Sequence, residues 1–212
     1  MTVERRAREP PNRPEIFTVV GDISKVEGPE GVIEYCKALR SSSGTELKID
    51  ILVNNAGVEV LRGLRDITTE DYDKAYDLNV RGTILMTQAV LPYLPPGGRI
   101  INISSVGSRA GFKDLSLYCS SKAAVEGLTR CWAAELGHNG TTVNAVNPGP
   151  VESEMLAKIP EDIVEGQKKA TPIENRLGTV EEVAAVVAWL AGSESRWVTG
   201  QSISASGGWA MY

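Results

Sequence analysis

Four residues in this sequence have the types and spacing to share proton chemistry. In Tyr118-Cys119-Ser120-Ser121-Lys122 a phenol and an ammonium stand four positions apart. On a helix such positions lie on one face, so both groups can reach one pocket. A free phenol has a pKa near ~10 and is a poor acid or base at neutral pH. A nearby cation favours the phenolate and lowers that value. A Tyr so tuned can pass a proton to or from a substrate oxygen. Taken alone, the same spacing also suits an ordinary surface pair. Ser105 lies thirteen positions upstream, just after an apolar run, where its hydroxyl can donate to the same oxygen. Asn79 sits among apolar neighbours in a long helical pattern. Asn is a poor helix-interior residue, so it marks a side-chain role, a kink or plain exposure.

The elements that position these residues alternate. Apolar runs predict strands over 16–20 (IFTVV), 49–53 (IDILV), 99–103 (RIINI), 142–146 and 201–205. Helical patterns cover 31–40, 69–91, 118–136 and 180–190, the second opened by Thr68 and Thr69 with acids in the first turn. The stretch to about residue 175 after Pro150 has the look of a mobile loop. Strand–helix alternation with buried strands implies a doubly wound parallel α/β sheet, helices on both faces. Ligands bind such sheets at the carboxyl ends of the strands. Those ends carry Asp22, Asn54-Asn55-Ala56-Gly57, Ser104-Ser105 and Pro148-Gly149, all on one rim. Cys36 and Cys131 fall on helices and are expected in the core, as are Trp132 and Trp189. Cys119 is expected to be a packing residue, and Trp197 and Trp209 to lie near an interface.

Composition bounds the function. The chain has 212 residues, 42% hydrophobic and 23% charged, enough for one packed domain. The net charge of -5 argues against nucleic-acid binding. Three cysteines without C-x-x-C spacing, and His138 as the single histidine in a Gly-Asn turn, point to neither disulfides nor a metal site. No run suits a signal peptide or a membrane span, so a cytoplasmic protein is expected.

Together these residues resemble the short-chain dehydrogenase/reductase family. The pieces that carry the likeness are Asp22-Ile23, Asn54-Asn55-Ala56-Gly57, Asn79, Ile103-Ser104-Ser105, Tyr118-x-x-x-Lys122, Asn147-Pro148-Gly149-Pro150-Val151, Arg176-Leu177-Gly178, Val198-Thr199-Gly200-Gln201 and Gly207-Gly208. The resemblance implies a Rossmann-like fold and NAD(P)H-dependent reduction of a ketone, of the 3-oxoacyl or polyketide kind, with NADPH favoured over NADH and no metal. It implies Tyr118 as proton donor, Lys122 as the cation that tunes it and holds the ribose, Ser105 polarising the carbonyl, and Asn79 holding a relay water. For the cofactor it implies Asp22 and Ile23 at the adenine, Asn55, Ala56 and Gly57 beside the adenosine ribose, and Pro148, Gly149, Val151 and Ser153 under the nicotinamide. Ser153 replaces the more usual Thr and keeps the hydroxyl. A homodimer or homotetramer is also implied.

One part of the family pattern has no counterpart here. The opening strand, Thr-Gly-x-x-x-Gly-x-Gly turn and helix, which meet the pyrophosphate, are absent from the sequence. The expectation is therefore a single domain over 1–212, incomplete at its N-terminus, with a gap in its sheet unless 16–20 pairs beside 49–53. Arg5, Arg6 and Arg8 read as a solvated arm. An alternative function follows: a family member without redox activity, such as an isomerase, a cyclase or a non-catalytic subunit.

Overall fold

The computed structural model describes residues 15–41, 46–153, 156 and 159–212. The arm with Arg5, Arg6 and Arg8 lies outside them. Helix α1 (Glu27–Ser41) precedes strand β1 (Ile51–Asn54). One long helical rod follows as α2 (Thr69–Tyr76), a π-helical segment (Asp77–Gly82) and α3 (Thr83–Val90). Thr68 caps it by accepting from the Asp71 N–H, while the Asp71 carboxylate accepts from the Thr68 N–H. Then come β2 (Arg99–Ile103), α4 (Ser116–Leu136), β3 (Thr142–Pro148), α5 (Glu161–Ala170), α6 (Val180–Ala191) and β4 (Ser202–Ala205).

The sheet is parallel throughout, and its order β1-β2-β3-β4 follows the chain. One face buries Leu52, Ile100 and Val143 under Ile33 of α1, Met86 and Val90 of α3 and Ala133 of α4. The other face buries Ile101 and Val146 under Leu190, with Val183, Val186 and Val187 of α6 packed around them. Helices thus cover both faces, as the strand–helix alternation predicted. Each fully buried Val, Leu, Ile or Met among them contributes about 1.5–3 kcal/mol by leaving water.

Several expectations need correction. Residues 16–20 form no strand; Ile16 and Val20 are each 80% exposed. A strand is held by its ladder hydrogen bonds, and no strand runs beside 16–20 among the described residues. β1 is therefore an edge, with Leu52 and Asn54 buried but Ile51 and Val53 45% and 41% exposed. The stretch read as a mobile loop contains α5, whose acids Glu161 and Asp162 stand at its start and Lys168 and Lys169 at its end, matching the helix dipole. Cys131 is exposed and Trp189 is 42% exposed, since each lies on the outer side of its helix. Trp197 is 97% exposed. Among the described residues no helix is long and apolar enough to cross a membrane.

Candidate functional site

Asn79 explains its own place in a helix. It lies in the π-helical segment, nearly fully buried, so the side chain is aimed inward. Its Oδ1 accepts from the Val58 N–H at 2.8 Å, and its Nδ2 donates to the Val58 carbonyl at 2.9 Å and to Ser121 Oγ at 2.9 Å. The widened turn loosens the ladder, and Thr83 Oγ1 satisfies the Asn79 carbonyl at 2.9 Å. One side chain therefore ties the loop after β1 to the rod and to α4.

On α4, Lys122 is 5% exposed and its Nζ donates to the Ile103 carbonyl at 2.8 Å, at the end of β2. Burial pulls this ammonium down to about 8. The Nζ lies 5.9 Å from the centre of the Tyr118 ring. Tyr118 shares the cavity lining with Ser105, which caps the following turn by accepting from the Gly107 N–H at 3.0 Å. Here the structure departs from the expected tuning. Burial pushes the Tyr118 phenol above its ordinary value, the Ser105 hydroxyl opposes this, and the nearby Glu59 carboxylate adds to the rise. Lys122 donates to the strand carbonyl, and its charge does not offset the burial of Tyr118. Ser104, by contrast, is structural: its Oγ donates to the Lys122 carbonyl at 3.0 Å.

The turn that carries Ser105 is braced to α4 by Glu126. Its carboxylate accepts from Ser108 and Asn147 and pairs with Arg109 at 2.9 Å. Burial alone would raise this carboxyl, but those hydrogen bonds hold it below its ordinary value. The guanidinium of Arg109 lies 4.2 Å from the Tyr212 ring centre, and Asn147 donates to the Tyr212 hydroxyl at 2.6 Å. The C-terminus is thereby latched to the same brace.

A cavity of about 850 Å³ opens above these groups, lined by Asn55, Ala56, Gly57, Ser105, Tyr118, Lys122, Pro148, Gly149, Val151 and Ser153, among others. It brings together all the expected site residues except three. Asp22 borders a separate cavity of about 370 Å³ with Val58, Lys74 and Asp77, and its carboxylate accepts from the Ser24 N–H at 3.0 Å. Ile23 packs towards the core and against Gly82, where an added Cβ would stand 3.1 Å from the Ile23 carbonyl. Asn79 lies beneath the cavity floor rather than on its lining. Sequence reasoning did not find Glu59, Phe112, Leu115, Leu156 and Ile159, which also line the large cavity, nor the place of Trp209 on that lining. Trp209 packs on Phe112, ring centres 5.5 Å apart, in the cavity wall. No motif spacing marks these positions, because they converge from separate segments.

The residues present fit the nicotinamide end of a dinucleotide. Gly57 stands over Lys122: a Cβ there would lie 3.1 Å from its Nζ and 3.3 Å from Asn79 Oδ1, so glycine keeps that approach open. Gly149 meets Ser206 so closely that a Cβ would stand 2.8 Å from the Ser206 Cβ. Among the described residues there is no glycine-rich turn to meet a pyrophosphate.

Residues 13–210 match a family model described as enoyl-(acyl carrier protein) reductase. A short-chain dehydrogenase/reductase of a Cladobotryum species, FrzI, is 43% identical over 189 residues, 86% of this chain and 71% of that protein. A hydroxynaphthalene reductase-like protein of Metarhizium acridum is 39% identical over 205 residues, 91% of this chain and 74% of that protein. Among solved structures, the angucycline C-6 ketoreductase LanV with bound NADP aligns with a TM-score of 0.81 at 30% identity, covering 88% of this chain and 72% of that one.

Proposed function

The chain belongs to the short-chain dehydrogenase/reductase family of NAD(P)-dependent oxidoreductases, and from that premise we propose that it uses NADPH to reduce a ketone of the 3-oxoacyl or polyketide kind, with Tyr118 as proton donor. The observation that carries the reading is the convergence of Tyr118, Ser105 and Lys122 on one large cavity, with Lys122 buried alongside. The relatives support the substrate class: one is named for hydroxynaphthalene reduction and one neighbour is a ketoreductase holding NADP.

Bound NADPH supplies the hydride. The chain's residues do the rest. Tyr118 gives its proton to the carbonyl oxygen as negative charge grows there. Ser105 donates a hydrogen bond to the same oxygen. The Lys122 ammonium would hold the ribose hydroxyls, and a proton drawn from solvent through a water held near Asn79 would restore Tyr118. Asn55, Ala56 and Gly57, with Pro148, Gly149, Val151 and Ser153, line the cofactor's path, and Asp22 and Ile23 receive the adenine. The apolar wall of Phe112, Leu115 and Trp209 keeps water away from the reacting carbon. Two or four copies assemble through the long helices.

The test follows NADPH consumption with a bicyclic aromatic ketone. Wild type is expected to turn over, faster with NADPH than with NADH. Tyr118→Phe is expected to lose about 100-fold or more in kcat while its fold, read by circular dichroism, is unchanged. Wild-type rates in that variant would remove Tyr118 from the mechanism.

A further inference from the structure

One acidic side chain in the large cavity has no use in the chemistry just described. Glu59 stands two residues beyond Gly57, half-buried, and lines the same space as Ser105, Tyr118 and Phe112. Its carboxylate makes no hydrogen bond or ion pair with another described residue. Burial pushes it above its ordinary value, and its charge in turn pushes up the Tyr118 phenol and the Cys119 thiol. Lys122, the cation on the same lining, is engaged with the Ile103 carbonyl. The same lining carries an apolar and aromatic set: Phe112, Leu115, Leu156, Ile159 and Trp209.

A half-buried carboxylate without a partner is costly, because it has lost water and gained nothing in exchange. A substrate group that donates a hydrogen bond removes that cost. An apolar wall disfavours a cation, which must shed its own water to enter, and it accepts a flat ring that carries a hydroxyl. We infer that Glu59 is a specificity-determining residue: its carboxylate accepts a hydrogen bond from a hydroxyl carried near the carbonyl of a cyclic or aromatic ketone. The inference rests on the reductase reading for its substrate class. It deepens that reading by naming a group the substrate must carry.

The experiment compares two ketones that differ by one hydroxyl, in wild type, Glu59→Leu and Glu59→Gln. Both turnover with NADPH and direct ketone binding by calorimetry are measured. Wild type is expected to favour the hydroxyketone by at least about tenfold in kcat/KM and in affinity. In Glu59→Leu that ratio is expected to fall to about one. Glu59→Gln is expected to lie between, since its amide oxygen still accepts but without charge. A ratio unchanged in Glu59→Leu overturns the inference. So does preference for the matching aminoketone over the hydroxyketone, or no binding of either ketone. Binding with the expected ratio but no turnover sustains the role of Glu59 and counts against the reductase reading instead.

Discussion

At neutral pH the Lys122 ammonium is stable only at a cost to the fold. Burial holds it at about 8 against 10.5 in a free Lys, and its partner is a neutral carbonyl. Between those two values the unfolded chain binds more protons than the folded one, so stability rises with pH across that window. Below about pH 8 the penalty is complete, on the order of 3 kcal/mol. Lys122→Met is therefore expected to gain about 1–3 kcal/mol in urea unfolding at pH 7, to show a smaller gain at pH 10, and to lose cofactor affinity. An unchanged midpoint at pH 7 would show that the charge is not strained. At this scale the sequence told most about residues bound by spacing. Tyr118 and Lys122 are one helical turn apart, and Ser105 ends a visible strand. Glu59 left no such trace, because a single acid after a turn looks like any surface acid until Tyr118 and Phe112 are brought beside it. The direction of the Tyr118 shift was also hidden, since it depends on burial and on where the Lys122 Nζ points.

At the scale of elements, the π-helical segment is where local preference and tertiary need meet. Asn79 conflicts with helix propensity, which marked the position, but propensity cannot report the widened turn that aims its side chain inward. Its bonds to Val58 and Ser121 join three elements. Asn79→Ala leaves the Val58 N–H and carbonyl without these partners. It is expected to cost about 1–3 kcal/mol in urea unfolding and to weaken NADPH binding through the loosened 55–58 loop. Retention of both would show that the loop is held elsewhere. The apolar strands over 99–103 and 142–146 were legible because continuous apolar runs need cover on both faces, which only a sheet interior gives. The run 16–20 has the same composition without a neighbour, and composition cannot supply one. Helix α5 escaped notice because its charges of both signs read as solvated loop, though their order suits a helix.

Over the whole molecule, the edge strand β1 leaves an apolar margin of the sheet exposed. β1 shows Ile51 and Val53 to solvent on a strand with no outer partner among the described residues. Such margins recruit strands from other chains, and a charged side chain there opposes it. Ile51→Lys is expected to lower light scattering in concentrated solution, with the catalytic residues untouched. Equal scattering would place the sticky surface elsewhere. The sheet order β1-β2-β3-β4 has a further meaning for a chain made from its N-terminus. Each strand leaves the ribosome to find its neighbour already waiting, so the sheet can grow one strand at a time without rearrangement. Ser105, Tyr118 and Lys122 are all in place before β4 emerges. Trp209, which completes the cavity wall, and Tyr212, which latches the brace through Arg109 and Asn147, follow β4. A growing chain therefore holds its proton-handling residues before it has the means to close its pocket.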